Sequence, residues 1–182
     1  MNWFNTIAVL IAAYLSVFFQ ATFNDLRHLV GVQVDLLPAI VVFASLSSGI
    51  VTLTLVSVCG GLWADSLSSN PLGISMLPLF LIGLLMHRSR EYILRDQAFA
   101  QCVLGTGATA AVSLLTLLML FNTRVQPLVG WFSLWQWFAL SLFGGAATPL
   151  WFRLFDWLGE TLSYRPVGAT SFRPDREIKR GR

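Results

Sequence analysis

Residues 60–73 read GGLWADSLSSNPLG, and the aspartate in this stretch is the most informative residue of the chain. Asp65 is the only charged residue between Leu36 and His87. A charged side chain costs about 2.5–3.5 kcal/mol at the centre of a bilayer on insertion scales. An acid in so apolar a neighbourhood therefore has to lie at a helix end, in a water-filled cavity or against a partner group.

The composition around this aspartate is that of a membrane protein. The 182 residues are 55% hydrophobic and only 12% charged, whereas soluble domains carry about 25% charged residues. A neutral run of about 20 residues, as a helix, crosses a hydrocarbon core about 30 Å thick. Four such runs occur, at Met1–Asn24, Leu36–Ala64, Gln97–Thr123 and Val125–Phe152. The pattern predicts an all-α, polytopic membrane protein with no separate soluble domain.

We expect a compact bundle of about six transmembrane helices over residues 1–157, followed by a basic tail at 158–182. The expected spans are 3–23, 36–46, 49–64, 71–87, 98–121 and 131–155, and the first is expected to be a retained helix. Residues 45–49 read SLSSG, and this small, polar run favours a break between the second and third helices. Five spans, with these two joined, are the alternative. Asn70 is expected to cap the fourth span, with Pro71 at its first helical position.

Positive charge predicts the orientation. Ten of the twelve basic residues are Arg88, Arg90, Arg95, Arg153 and six residues of the tail. Because two spans separate these clusters, both face the same side, and the positive-inside rule places that side in the cytoplasm. The C-terminus is therefore expected in the cytoplasm. Six spans put the N-terminus there as well, and five put it outside.

Three interpretations of Asp65 are open at this stage. It could be an interfacial acid that closes one helix with its head in water, and this is the leading one. It could be a buried anchor that accepts hydrogen bonds from the backbone or from Ser66 and Ser68. It could also be a ligand or proton site, since ionisable groups within membrane segments are often functional.

Residues 105–110 read GTGATA and match the dinucleotide pattern G-x-G-x-x-A by letter only. The pattern requires a preceding strand and a later acid, whereas this copy lies inside a charge-free apolar run. A packing face explains it better, because Gly105 with Thr109, and Gly107 with Ala111, are small residues four apart. The neighbouring helix could belong to the same chain or to a partner.

No catalytic or metal-binding motif accompanies these features. The chain contains no nucleophile elbow, no H-E-x-x-H and no P-loop. Cys59, Cys102, His28 and His87 are isolated from other ligand types in sequence. We therefore expect a protein that is not an enzyme, with no cofactor, no metal and no nucleic-acid partner.

The block from Asp35-Leu36-Leu37-Pro38 through Gly61 and Asp65 to Pro71-Leu72-Gly73 resembles the rod shape-determining protein family MreD. The family feature is a Gly, a few apolar residues and an Asp, followed by a Gly that opens the next span. The resemblance implies a non-enzymatic scaffold of the inner membrane that helps maintain rod cell shape in the peptidoglycan elongation complex. The implied partners are membrane lipids and an MreC-like single-span protein, with MreB, RodA and a class B penicillin-binding protein in the wider complex.

The residues that we single out for structure or partner contact are Gly61, Asp65, Pro71, Gly73, Gly105 and Gly107. The MreD family also resembles, in fold, the substrate-binding subunits of energy-coupling-factor transporters. That likeness supplies the alternative function, a small-ligand-binding subunit of a membrane transporter. Such a subunit needs an outward pocket where polar groups converge, and the candidates for it are Gln20, Asp35, Asp65 and Gln101.

Overall fold

The computed structural model describes residues 3–22, 35–68, 71–92, 97–122 and 130–162, and this part of the chain is helical throughout apart from short turns. It contains six α-helices and no strand. They are α1 (Trp3–Thr22), α2 (Leu37–Ser47), α3 (Ile50–Leu67), α4 (Met76–Ser89), α5 (Ala98–Asn122) and α6 (Trp131–Leu162), and a 3₁₀ turn (Arg90–Tyr92) follows α4. The predicted all-α class is confirmed.

The break between α2 and α3 lies where the small, polar run predicts it. Ser48 and Gly49 adopt extended backbone angles between the two helices. The amide of Ser48 donates to the carbonyl of Ala44 at 3.0 Å, which continues the helical hydrogen-bond pattern of α2 by one residue. The prediction of two short helices is confirmed, and the alternative of one joined helix is wrong.

The start of α4 differs from the expectation that Pro71 is its first helical position. The helix begins at Met76, and residues 72–75 form turns in which the amide of Ile74 donates to the carbonyl of Pro71. Gly73 has a φ of 93°, which a right-handed helix cannot contain. The positive φ therefore delays the helix by one turn, and Asn70 lies outside the described residues.

Helix α2 forms the centre of the bundle. All residues from Leu37 to Leu46 are buried, as expected of a helix that is apolar on every side. It packs against each of the other five helices. Against α6 the contact is aromatic. The ring of Phe43 stacks on that of Phe155 with the ring centroids 4.3 Å apart, and it forms an edge-to-face contact with Phe152 at a centroid distance of 5.1 Å.

The outer helices follow one another around α2 in the order α1, α3, α4, α5 and α6, each closely packed on the next. Helices α1 and α6, at the two ends of this row, do not form a closely packed pair. The row is therefore an incomplete ring, and its opening lies between the first and the last helix.

The tightest pair of helices is α5 with α6, and it is joined by glycines opposite threonines. A Cβ added to Gly105 would overlap the hydroxyl of Thr148, and one added to Gly144 would overlap that of Thr109. Both threonine hydroxyls donate to a carbonyl of their own helix at 2.8 Å, so close approach leaves no polar group unpaired. The packing face expected at Gly105 therefore serves a helix of the same chain.

Gly107 does not share that role. It is exposed, and a Cβ added there would meet nothing within 4 Å. Among the described residues, no neighbouring helix packs against Gly107 as the pairing with Ala111 predicts. Because successive helix residues point about 100° apart, Gly105 and Gly107 lie on opposite sides of α5.

Length and composition indicate a membrane protein. Four described helices are long and apolar enough to cross a membrane, over Trp3–Thr22, Ile50–Leu67, Ala98–Asn122 and Ser133–Gly159. Helices α2 and α4 are apolar but shorter. Helix α6 continues to Leu162, past the expected end of the bundle at 157, and residues 163–182 of the expected tail lie outside the described part.

The two glycines of α5 provide a matched test of this packing. Replacing Gly105 by Ala forces α6 away or displaces Thr148, and overpacking of this kind costs about 1–3 kcal/mol. Replacing Gly107 by Ala adds a methyl to open space and favours the helix by about 1 kcal/mol. Thermal unfolding in detergent should therefore show a lowered Tm for Gly105→Ala and an unchanged or raised Tm for Gly107→Ala. Equal shifts in both variants would contradict the proposed packing.

Candidate functional site

The Asp65 side chain is buried at the corner between α3 and α4, with 1% of its surface exposed. Its Oδ2 accepts hydrogen bonds from the amides of Gly73, at 2.8 Å, and Ser75, at 3.1 Å. These amides lie at the approach to the first turn of α4, where backbone N–H groups lack helical partners. A carboxylate in this position also complements the positive end of the helix dipole. Asp65 therefore caps α4 from the preceding helix.

Two glycines make this arrangement possible. A Cβ added to Gly61 would lie 2.7 Å from the Cα of Met76, so only glycine allows α3 to approach the first turn of α4 this closely. Gly73 supplies the positive φ that turns its amide and that of Ser75 toward one oxygen. Gly61, Asp65 and Gly73 therefore form one structural unit, which we call the Asp65 corner, and Pro71 begins the turn that completes it.

The leading interpretation of Asp65, an interfacial acid with its head in water, is wrong because the side chain is buried. The hydroxyl donors expected for the anchor are also wrong. Ser66 donates to the carbonyl of Trp63 and Ser68 to the carbonyl of Asp65, because helical geometry directs these hydroxyls toward backbone three residues earlier. The backbone alternative is confirmed, since both donors to the carboxylate are amides.

The second oxygen of Asp65 is less well satisfied. Oδ1 is buried and has no hydrogen-bond partner among the described residues. The described residues also place no second carboxylate in hydrogen-bond contact with Asp65, although a carboxylate dyad for acid–base chemistry requires one. The arrangement therefore fits the capping of a helix. It leaves one buried carboxylate oxygen, Oδ1, without a donor among the described residues.

A cleft of about 240 Å³ opens beside the Asp65 corner, at the gap between α1 and α6. Its polar lining comes from several elements, namely Gln20 of α1, Asp35 before α2, Ser68 and Ser75 on either side of the corner, and Gln136 of α6. The remaining lining is apolar and includes Val17, Ala64 and Leu140. The cleft is therefore the place where polar groups from separate helices converge.

Asp35 is the only charged group among the described residues that line the cleft. Its Oδ1 accepts hydrogen bonds from the Leu37 amide at 3.0 Å and from the Gln20 side-chain amide at 3.3 Å. The residue is half-exposed, but protein atoms surround its carboxyl group. This burial raises the pKa of Asp35 above its ordinary value of 3.8, and the two hydrogen bonds act in the opposite direction.

The structure brings together some of the residues expected in a pocket and separates others. Gln20 and Asp35 meet in the cleft, whereas Asp65 lies behind Ser75 and contacts its amide. Gln101 is buried within α5 and does not line the cleft. Sequence reasoning missed Gln136, whose only signal is an amide inside an apolar run.

His87, one of the two histidines considered in the sequence analysis, makes a contact between two helices. His87 meets the carbonyl of Ser45 through Nδ1 at 2.8 Å and so joins the end of α4 to the end of α2. Within the described ranges, no group of three or more His, Cys, Asp or Glu residues could hold a metal ion. His28 and Arg27 lie in residues 23–34, outside the described part.

Comparison with known proteins gave no match to a protein-family model, to a curated protein or to a solved structure.

The two functions of the Asp65 carboxylate, acceptor and charge, can be separated by mutation. Asp65→Ala leaves two partly buried amides without an acceptor, and an unsatisfied group of this kind costs up to about 3 kcal/mol. Asp65→Asn keeps an oxygen for the same amides and should retain most of the stability. We expect thermal unfolding in detergent to give a much lower Tm for the alanine variant than for the asparagine variant. A Tm of Asp65→Ala equal to that of the wild type would show that the corner does not stabilise the fold.

Proposed function

We propose that this protein is a non-enzymatic scaffold of the bacterial inner membrane, of the MreD type, that helps to organise the peptidoglycan elongation complex. The scaffold acts by presenting shaped helical surfaces to single-span partners such as an MreC-like protein. The wider complex would contain MreB, RodA and a class B penicillin-binding protein.

The observation that carries this proposal is the unity of the Asp65 corner. The resemblance to MreD rests on Gly61, Asp65 and Gly73, of which the first two lie one turn apart on α3 and the third lies in the turn before α4. In the structure they meet at one corner. Gly61 allows α3 to approach α4 closely, Gly73 allows the tight turn, and Asp65 accepts a hydrogen bond from the Gly73 amide. A sequence pattern whose members act together physically is better support than the same letters scattered over the fold.

The charge distribution supports the orientation that this role requires. His87 contacts the last turn of α2, and Phe155 stacks on Phe43 in the same half of α2. Arg88 and Arg153, which are neighbours of these residues in sequence, therefore lie toward one end of the bundle. By the positive-inside rule this is the cytoplasmic end, and the Asp65 corner with its cleft faces the opposite side. Both termini are then cytoplasmic.

The apolar surface supports a role in the membrane as a partner for other helices. Large hydrophobic side chains are exposed along several helices, for example Phe4 and Leu15 on α1, Leu114 and Leu118 on α5, and Phe138 on α6. Such faces suit lipid and helix partners. Gly107, exposed on α5, adds a point of close approach that none of the six described helices uses.

The transporter-subunit alternative is favoured by one observation, the convergence of Gln20, Asp35 and Gln136 on the cleft. The size of the cleft weighs against it. Pockets for whole small molecules measure about 300–1,000 Å³, whereas this cleft measures about 240 Å³. The cleft suits a single functional group better than a vitamin-sized substrate.

The scaffold proposal can be tested in the host cell. Depletion of the protein should convert rod-shaped cells to rounded cells, and affinity purification of the tagged chain in mild detergent should recover an MreC-like single-span protein. The Gly107→Ala variant, if it accumulates normally, separates a partner surface from a folding defect, because no described residue packs against Gly107. Cells that stay rod-shaped on depletion, with no elongation protein recovered, would contradict the proposal.

A further inference from the structure

The cleft between α1 and α6 is lined by polar side chains to which the scaffold role gives no function. It contains one carboxylate, two side-chain amides and serine hydroxyls, and its described lining holds no lysine or arginine. The second carboxylate of this region, Asp65, lies behind Ser75 with its Oδ1 unpartnered. Among the described lining residues the carboxylate of Asp35 is therefore the charged group with which a cation can pair.

The free acceptors of the cleft also point to a donor ligand. Both hydrogen bonds to Asp35 reach Oδ1, and Oδ2 accepts none from the described residues. Gln20 uses its amide nitrogen on Asp35, which leaves its carbonyl oxygen available. An ammonium group carries three donors and a positive charge, and charge-assisted hydrogen bonds to a carboxylate are about twice as strong as neutral ones.

We propose that this cleft binds a primary ammonium group, held by the carboxylate of Asp35 and by amide oxygens of Gln20 and Gln136. The inference does not depend on the scaffold role. The ammonium group can come from a phosphatidylethanolamine headgroup that enters through the gap between α1 and α6, or from a small soluble amine.

The volume and position of the cleft fit a headgroup-sized group. The volume of about 240 Å³ lies below the range of about 300–1,000 Å³ found for pockets that hold whole small molecules, and it suits a small group such as an ethanolamine moiety. Gln20 lies in the last turn of α1 and Gln136 near the start of α6. The cleft is therefore near the ends of membrane-length helices, at the depth where lipid headgroups are found.

Binding should depend on pH through Asp35. The described groups that line the cleft beside it on α1, before α4 and on α6 are neutral, and Asp65 of α3 lies behind Ser75. Burial raises the pKa of Asp35, so protonation competes with the ligand at low pH. A primary amine stays protonated up to about pH 9, by analogy with lysine. Binding should therefore strengthen as the pH rises through the range in which Asp35 loses its proton, which lies above its ordinary pKa of 3.8.

The test uses the full-length protein in detergent and two probes. Ethanolamine tests for a soluble ligand by a rise in Tm, and native mass spectrometry with phosphatidylethanolamine against phosphatidylglycerol tests for a lipid. Either probe should bind the wild type, and Asp35→Asn should weaken that binding by about tenfold or more, which corresponds to about 1.4 kcal/mol. Retention of the lipid without an effect of ethanolamine assigns the site to a headgroup, and the reverse assigns it to a free amine.

Three controls keep the test falsifiable. Asp156→Asn makes the same chemical change at an exposed residue of α6 remote from the cleft and should leave binding unchanged. Gln136→Ala alters an exposed side chain, so it should fold normally and still weaken binding. Choline, which lacks N–H donors, should bind less than ethanolamine. Absence of binding by both probes, or equal binding in the wild type and the Asp35→Asn variant, would overturn the proposal.

Discussion

The fold depends on the hydrogen bonds from two backbone amides to one buried carboxylate oxygen. Gly73 and Ser75 turn their N–H groups toward the corner before α4 begins, where these partly buried amides have no helical partner. Asp65 supplies the acceptor from the neighbouring helix. Because a buried amide without a partner is costly, the corner forms as a unit or not at all. That corner then sets where α4 starts and how closely it packs on α3.

The rest of the bundle is arranged around this constraint. With α3 and α4 fixed against each other, the short α2 fills the centre, and the glycine–threonine contacts of α5 and α6 close one side. The helix row stays open between α1 and α6, and the opening lies beside the corner. The buried acid therefore holds the turn before α4, and a polar cleft lies next to that turn.

Much of this fold can be predicted from sequence because its signals are local. Neutral runs of membrane length predict the long helices, and the small, polar residues 45–49 predict the break before α3. The sequence predicts too early a start for α4, because proline suits both the first position of a helix and a turn. Gly73, two residues after Pro71, decides between the two by its positive φ. A lone acid likewise attracts a functional interpretation, and only the geometry shows which amides it caps.

The cleft shows where sequence reasoning ends. Gln20 and Asp35 are polar residues near helix ends, and each alone predicts only contact with water. Their proximity arises from the packing of α1 beside α2, and Gln136 joins them from a helix more than 100 residues away. No local pattern contains that information. The volume of the cleft indicates whether it can bind a single functional group or a whole substrate molecule. This volume, too, is known only from the packed structure.

Amide hydrogen exchange measured by NMR on the protein in detergent tests the central claim most directly. The account requires the amides of Gly73 and Ser75 to exchange slowly in the wild type, although they lie in a turn outside the regular helices. It also requires that protection to be lost in Asp65→Ala and largely kept in Asp65→Asn. Rapid exchange of both amides in the wild-type protein would show that Asp65 does not hold the corner, and the account would fail.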